Sequence, residues 1–378
     1  MSVLRFALLI GILSSAAPAA TASSLCTPSF PMQSGDRVGW LGADVAFSIP
    51  LPDGRDIWIF GDTLYGEKRV VNSNVPVMVR NSIGVSTCGP DGKWRIEYAI
   101  RRDSSGKADD YFRTSRPKTW YWAMDGFRVN QDVWVTLLCV RATNSASAMG
   151  FETCGSDLAR ISNPGPDPQK WKIRYFPLVP DGAHAYPSAT TVVVDDFVDL
   201  FAIDEKGSKP LLVTRIPLAG LGDPRGHLEY LSKDDAWKPG FDPSDAKPAM
   251  AQGSSELSIR YHPEMKKWLA VMFAPEPFSR DILLRSAPTP VGPWTNDKVI
   301  YSVPEKTPGN TKYDKDTFCY AGKEHPEFEH GDLVFTYVCN TFAVPKLATE
   351  LSIYFPQTIR MPMPELQKSE QSGAAGGQ

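Results

Sequence analysis

Short hydrophobic segments separated by turn-forming residues follow one another along the chain, and the arrangement repeats about every 70 residues. In each repeat a strand leads through a short turn into a more hydrophobic strand, such as IWIF, VWVTLL or LVFTYV. A third strand follows, as in MVRNSIGVST, PLLVTRIPL, DILLRSAP and ELSIYFP. The repeats are 77, 65, 70 and 71 residues apart when the equivalent positions are Asp44, Tyr121, Tyr186, Glu256 and Glu327. Five such units predict an all-β fold, a five-bladed β-propeller formed by a single domain.

Two other architectures fit this pattern less well. A pair of β-sandwiches would need a linker, and no Gly/Ser/Pro-rich segment divides the chain. A parallel α/β fold would need helices between the strands, where the sequence has turn residues instead. The composition also favours turns and short strands, with 29 glycines, 33 prolines, 10 tryptophans, 13 tyrosines and 18 phenylalanines.

The first 22 residues are typical of a secretory signal peptide and precede the predicted domain. Arg5 gives a positive start, an apolar stretch runs from Phe6 to Leu13, and Ala20-Thr21-Ala22 is a small-x-small cleavage site. No later stretch reaches the 18 apolar residues of a membrane helix, so we expect no membrane association. The sequence therefore predicts a secreted protein, extracellular or periplasmic, with a propeller over residues 23–365 and a disordered tail over residues 366–378.

The cysteines agree with export to an oxidising compartment. All six follow the predicted cleavage site, at Cys26, Cys88, Cys139, Cys154, Cys319 and Cys339. They allow fifteen pairings, and their spacing contains no CxxC motif that would indicate zinc. Cys139 and Cys154 flank a loop between two strand-like segments, and Cys319 and Cys339 bracket another hairpin. We therefore favour these two disulfides, which leaves Cys26 with Cys88.

Charge and motif content narrow the possible functions. The formal net charge is −3, from 40 basic and 43 acidic residues, and no basic stripe indicates a nucleic-acid partner. The sequence lacks a GxSxG elbow, an HExxH motif, an EF-hand loop, a P-loop and a dinucleotide-binding fingerprint. It also lacks the SxDxGxTW turn of sialidase-type propellers. We predict no cofactor, since no motif specifies calcium at the propeller axis. We also expect a monomer.

Two aspartates of the first repeat are predicted to lie together at the open end of one blade. Asp53-Gly54 marks a tight turn, so residues whose numbers add to about 107 should face each other across the hairpin. Asp44 should then lie opposite position 63, beside Asp62. Paired carboxyl groups at a concave end are what glycoside hydrolysis needs, as a proton donor and a base or nucleophile. Asp62 has a structural alternative, because an aspartate in a Gly-Asp-Thr turn often only binds the following backbone amides.

The sequence also resembles a known family of secreted propellers. The motifs WLGADVAFSIPLPDGRDIWIFGDT, MVRNSIGVS, GSSELSIRY, YAGKEHPEF and LVFTYVCN, in this order, are similar to those of glycoside hydrolase family 183. Its members, first catalogued as a domain of unknown function, are endo-D-arabinanases that cleave mycobacterial arabinan. The resemblance covers residues 38–360 and implies that Asp44 and Asp62 are the catalytic pair. The regions TWYWAMDG and HAYPSAT match none of the family's motifs.

Further candidates follow from their positions in the repeats. Glu256 opens the fourth inner strand, where it could bind a sugar hydroxyl or tune the pKa of an aspartate; a hydrogen bond at the strand end is the alternative. Arg80 and Asn81 could hold a furanose ring or only join blades. His184 and Tyr186 should begin the third inner strand and His325 the fifth, and all three are candidates for substrate binding. For the histidines, a hydrogen-bonded residue of the funnel wall is the alternative. The tryptophans that could stack on sugars, or pack between blades, are Trp40, Trp120 and Trp122.

These observations support two hypotheses of different classes. The first is a secreted, endo-acting glycosidase on arabinofuranosyl polymers, such as the D-arabinan of arabinogalactan and lipoarabinomannan. Asp44 would be its base and Asp62 its acid, and the resemblance implies inversion of configuration. The second is a non-catalytic secreted propeller that binds a glycan or a protein.

Overall fold

The computed structural model describes residues 26–33, 38–67, 77–143, 150–343, 345–350 and 352–363. The predicted signal peptide over residues 1–22 and the predicted tail over residues 366–378 lie outside the described residues.

Within the described ranges, five antiparallel sheets follow one another along the chain, and each forms one blade. The strands are numbered in chain order. Blade one contains β2 (Phe47–Pro50), β3 (Arg55–Phe60), β6 (Ser82–Cys88) and β7 (Trp94–Ala99). Blade two contains β10 (Thr119–Val129), β11 (Asp132–Ala142), β12 (Phe151–Ile161) and β13 (Ile173–Val179). Blade three contains β14 (Thr190–Val194), β15 (Phe197–Ile203), β16 (Leu211–Pro217), β17 (Glu229–Leu231), β18 (Trp237–Pro239) and β19 (Pro248–Met250). Blade four contains β20 (Leu257–His262), β21 (Lys267–Phe273), β22 (Asp281–Ala287) and β23 (Lys298–Ser302). Blade five contains β24 (Thr317–Glu324), β25 (Asp332–Thr341) and β26 (Gln357–Pro362).

The remaining elements are small. One sheet joins β1 (Gly39–Ala43), β4 (Thr63–Gly66) and β5 (Val77–Val79), and another pairs β8 (Arg101–Arg102) with β9 (Ala108–Asp109). A short helix, α1, spans Lys346–Thr349. Single 3₁₀ turns span Pro168–Lys170, Leu218–Gly220, Pro304–Lys306 and Pro326–Phe328.

The first strand of every sheet lines a common axis. Contacts join β2 to β10, β10 to β14, β14 to β20, and β20 to β24. These five inner strands surround a funnel, and we call the end where they begin its near end and the end where they finish its far end. The predicted all-β, five-bladed propeller is confirmed.

Separate apolar clusters pack each blade against the next. Each of these clusters contains buried residues from two neighbouring blades. Examples, one from each blade, are Phe47 and Val135, Trp134 and Val198, Phe201 and Leu257, Leu269 and Phe335, and Trp58 and Val334. Fully burying one such side chain contributes about 1.5–3 kcal/mol. The blades are therefore held by interfaces between sheets, and the polar groups on the inner strands are available for other roles.

The boundaries of the fifth blade differ from those predicted. Its inner strand is β24, which ends at Glu324, the first residue of the EHPEF segment, and LVFTYV lies in the second strand, β25. The third strand is β26, which begins after the ELSIYFP segment. Because His325 follows the inner strand, it lies at the far end of the funnel, and the prediction that it begins this strand is wrong.

The three disulfides are those predicted: Cys26–Cys88, Cys139–Cys154 and Cys319–Cys339. The first ties residues 26–33 to the end of β6, and Thr358 of β26 donates a hydrogen bond to the Pro28 carbonyl at 2.9 Å. The N-terminal segment thus connects blades one and five. Three disulfides indicate that the chain folds in an oxidising compartment outside the cytoplasm. Within the described ranges, none of the helices is both long enough and apolar enough to cross a bilayer.

Candidate active site

Asp44 and Asp62 lie directly opposite each other at the near end of blade one. The ladder pairs Ala43 with Thr63 and Phe47 with Ile59, so Asp44 faces Asp62, one residue from the predicted position 63. The backbone N–H of Asp44 donates to the carbonyl of Asp62 at 3.1 Å. Facing residues of two paired strands have Cβ atoms about 4.5–5.5 Å apart. The structure therefore brings together the two carboxyl groups that the sequence selected.

The backbone around Asp44 has an unusual conformation. Val45 has φ of +50°, a value that is rare for a β-branched residue and costs of order 1–3 kcal/mol. The regular ladder is interrupted between β1 and β2 at this point. A Cβ atom at position 61 would collide with Asp44 Oδ1, so a larger residue there would displace the Asp44 carboxyl group. These features fix the direction of the Asp44 side chain.

The surroundings of Asp44 favour its protonated form. Burial is the largest cause that raises the pKa of Asp44 well above its usual value, followed by the negative charges of Asp62 and Glu256. The Tyr320 hydroxyl donates a hydrogen bond to Asp44 Oδ2 at 3.2 Å, which opposes this shift. A buried carboxyl group that holds its proton near neutral pH is suited to act as a general acid.

The surroundings of Asp62 favour its ionised form more than those of Asp44. Burial raises the pKa of Asp62 above its usual value, and the Arg80 charge and hydrogen bonds from Trp122 and Arg80 limit this rise. Arg80 Nη1 lies 3.0 Å from Asp62 Oδ2, and Trp122 Nε1 lies 3.1 Å from Asp62 Oδ1. The Arg80 guanidinium also lies 4.5 Å above the Trp120 ring. A cation beside one member of a carboxyl pair separates their pKa values, as acid–base catalysis requires.

Glu256 is the third carboxyl group at the near end. Its charge contributes to the raised pKa of Asp44, so the two groups lie within electrostatic range across the funnel. Ser255 Oγ donates to Glu256 Oε2 at 2.9 Å. Burial raises the pKa of Glu256, while the Ser255 hydrogen bond and the Lys323 charge lower it. The site therefore consists of three carboxyl groups contributed by blades one and four.

A buried ionic network closes the axis below these carboxyl groups. Lys323 is 1% exposed, and its ammonium lies 3.1 Å from Asp125 Oδ1 and 3.6 Å from the centre of the Phe47 ring. Arg260 lies 3.5 Å from the same Asp125 oxygen. Burial lowers the pKa of Lys323 to about 8, although the Asp125 charge raises it. Asp125 Oδ2 accepts hydrogen bonds from the side chain and backbone of blade three, at Thr190 Oγ1 and the Thr191 N–H.

Three of the predicted substrate-binding residues are buried in structural positions. Trp40 is fully buried and stacks on Tyr98 with ring centres 4.4 Å apart, so it packs inside blade one and cannot touch a sugar. The Asn81 amide donates to the carbonyls of Phe112 and Tyr121, and it is also fully buried. His325 is buried at the far end, where it contacts the hydroxyls of Ser48 and Thr336. For Trp40, Asn81 and His325 the predicted contact with substrate is wrong.

The remaining predicted residues of blade three lie at its near end. His184 Nδ1 lies 2.6 Å from Asp204 Oδ1, and its side chain is 21% exposed. Tyr186 is 5% exposed and belongs to the apolar cluster between blades two and three. Their role in binding stays a prediction, as does that of Arg80, which contacts Asp62.

A second group of titratable residues lies at the far end. The ligand atoms of His262, Glu324 and Glu329 lie within 4.8 Å of one another, a set that could hold a metal ion. His262 Nε2 is 2.6 Å from Glu324 Oε1, and the nearby glutamates raise the pKa of His262 to about 9 against the opposing effect of burial. The protonated imidazole already contacts Glu324, so a metal would have to displace this proton. Glu305 lies close to Cys319 and Cys339, but both sulfurs are in a disulfide.

Comparison with protein families places the chain in one of them. The model of a domain of unknown function, DUF5005, matches residues 34–358. The chain belongs to the DUF5005 family. No curated protein matches the chain in sequence. Since the family is described only as a domain of unknown function, membership assigns no activity.

Solved structures similar to this DUF5005 protein match most of its chain. A candidate hydrolase from Bacteroides ovatus ATCC 8483 has 21% identity and a TM-score of 0.64, covering 85% of this chain and 86% of its own. An exo-1,5-α-L-arabinanase from a bovine ruminal metagenomic library has 9% identity and a TM-score of 0.44, with coverages of 86% and 94%. An exo-β-1,3-galactanase from Phanerochaete chrysosporium has 11% identity and a TM-score of 0.49, with coverages of 89% and 63%. At 21% identity the comparison with the Bacteroides structure concerns the fold alone.

Sequence reasoning did not identify Tyr320, which contacts Asp44, or Lys323, which belongs to the buried ionic network below the carboxyl groups. Both belong to β24, which the repeat alignment did not recognise as the inner strand of blade five. A lysine in the middle of a strand pattern, in YAGKEHPEF, was the available signal. A lone charge on an inner strand needs a partner, which here is Asp125.

Proposed function

We propose that this protein is a secreted glycoside hydrolase that cleaves arabinofuranosyl polymers within the chain, with Asp44 and Asp62 as the catalytic pair. The observation that carries the proposal is the opposed carboxyl pair at the near end, one member flanked by carboxylates and the other by Arg80. D-arabinan as the substrate, and kinship with glycoside hydrolase family 183, rest on the sequence motifs quoted above.

The electrostatic surroundings support an assignment of roles opposite to the one expected from the sequence. Asp44 would donate its proton to the leaving glycosidic oxygen, because burial and two neighbouring negative charges keep its pKa high. Asp62 would act as the base that activates water, since Arg80 and Trp122 favour its charged form. Glu256 would accept a hydrogen bond from a sugar hydroxyl and help to keep Asp44 protonated. We propose inversion of configuration, as the resemblance implies, which NMR of the first-formed anomer would test.

The decisive experiment compares products from two polymers. The purified protein is incubated with mycobacterial arabinogalactan and with plant arabinan, and the products are separated by chromatography. D-arabinan oligosaccharides of several lengths support the proposal, whereas L-arabinan fragments or a single short product would contradict the substrate or the endo action. Retention of glycan without any product would favour the binding propeller instead.

Variants of the pair test the assigned residues. Asp44→Asn and Asp62→Asn should each lower kcat by roughly 100-fold or more, with little change in melting temperature. Asp199→Asn is a matched control, because Asp199 is a buried carboxyl on the second strand of blade three whose pKa burial raises to about 7. Full activity of Asp62→Asn with an unchanged pH profile would show that Asp62 is not catalytic.

A further inference from the structure

Three phenylalanines form a compact aromatic cluster at the near end of blades four and five. Phe318 and Phe342 stack with ring centres 4.5 Å apart and an interplanar angle of 30°. Phe278 meets these two rings edge-on, with centres 5.4 and 5.3 Å away. We call Phe278, Phe318 and Phe342 the phenylalanine platform.

The platform is exposed to water in a way that folding does not explain. Phe278 is 49% exposed and Phe342 is 57% exposed, whereas Phe318 beneath them is 9% exposed. Single exposed apolar residues are common, but a joined aromatic surface more often marks a binding site. Phe278 also has φ of +56°, a left-handed conformation that is unfavourable for a bulky side chain. The loop therefore holds an aromatic ring towards solvent at a conformational cost, which is typical of functional positions.

The platform is continuous with the carboxyl pair. Phe318 stacks on Tyr320 with ring centres 5.7 Å apart, and the Tyr320 hydroxyl donates to Asp44 Oδ2 at 3.2 Å. On the other side of the pair, Trp122 binds Asp62. Aromatic surfaces thus flank the carboxyl groups on two sides, from blades four and five and from blade two.

We propose that the phenylalanine platform is a glycan-binding subsite, on which the apolar C–H face of a sugar ring packs. It would bind one part of a neutral polysaccharide while another part crosses Asp44 and Asp62 towards Trp122. This inference rests on the proposed function and deepens it, because a subsite remote from the reacting bond is filled only by a substrate several sugar units long. Binding energy from a remote unit is expressed partly in turnover, so the platform would favour long substrates.

Phe342→Ala tests the subsite in the full-length protein. On arabinan chains its kcat/KM should fall about tenfold more than on a short aryl arabinofuranoside, and Phe342→Tyr should restore the preference for long chains. Tyr261→Ala is a matched control, because Tyr261 is 47% exposed and lies towards the far end of β20. Equal losses on long and short substrates would overturn the subsite.

A binding measurement keeps this test separate from the catalytic proposal. Electrophoresis through gels that contain arabinan, xylan or galactan measures glycan retention without any reaction. Retention by the wild type that weakens in Phe342→Ala but not in Tyr261→Ala supports the subsite, even if no polymer is hydrolysed. Equal retention of wild type and Phe342→Ala, or no retention of the wild type by any of these glycans, rejects it.

Discussion

Replacing Arg80 by methionine should raise the pKa of Asp62 and move the acidic limb of the pH–activity profile to higher pH. The contact between Arg80 Nη1 and Asp62 Oδ2 is 3.0 Å, and charges about 4 Å apart at an effective dielectric of about 20 interact by about 4 kcal/mol. The Arg80 side chain is 38% exposed, so water screens much of this energy. If about one third of the roughly 4 kcal/mol remains after screening, the interaction is worth about 1.4 kcal/mol. Its loss corresponds to a rise of about one unit in the pKa of Asp62.

The assay is kcat/KM on arabinan measured across pH for the wild type, Arg80→Met and Arg80→Lys. Because the base must be ionised, the acidic limb follows Asp62 and should shift upward in Arg80→Met. Arg80→Lys keeps the charge and should shift it less. The alkaline limb, which follows Asp44, should shift less than the acidic limb, since the direct contact of Arg80 is with Asp62. An acidic limb that does not move, or that moves to lower pH, would refute the assignment of Asp62 as the base.

Three further variants test other parts of the structure. Glu256→Gln removes one of the charges that raise the pKa of Asp44, so the alkaline limb of kcat/KM should move to lower pH, with a smaller loss of activity than in either aspartate variant. Lys323→Met leaves Asp125 buried without its closest cation and should lower the free energy of unfolding in urea by about 3–5 kcal/mol; a second change, Asp125→Asn, should recover part of that loss. Burial and Glu324 raise the pKa of Glu329 from 4.5 to about 9, which favours folding at low pH and opposes it as the pH rises between these values. The melting temperature of Glu329→Gln should therefore equal that of the wild type near pH 4 and exceed it near pH 8. A difference in melting temperature that does not change with pH would show that the pKa of Glu329 is not raised by folding.

The propeller could be predicted from the sequence because each blade repeats the same local pattern. The Asp53-Gly54 turn fixed the register of the first hairpin to within one residue, and this was enough to bring Asp44 and Asp62 together. The disulfides followed from hairpins that are local in the chain. These features depend on residues close in sequence, where hydrophobic pattern and turn chemistry agree.

Contacts between blades could not be predicted in the same way. Tyr320 reaches Asp44 across 276 positions, and Lys323 reaches Asp125 across nearly 200, so no local pattern links them. The prediction for Trp40 was wrong for a different reason. A tryptophan next to a site can either contact the substrate or pack against neighbouring strands, and the hydrophobic pattern does not distinguish the two. The fifth blade was misplaced because its inner strand is less hydrophobic than the strand that follows it.

The two ends of the funnel differ in how their buried charges are compensated, and this difference bears on where catalysis occurs. At the far end, Glu324 contacts His262, whose pKa of about 9 places a positive charge beside the buried glutamates at neutral pH. At the near end, Asp44 is surrounded by two other carboxyl groups, and Val45 beside it has an unfavourable conformation. Like charges and backbone strain together oppose folding, so packing does not account for their presence. A site that must hold one carboxyl group protonated beside an ionised one needs this arrangement, which is why we place the chemistry at the near end.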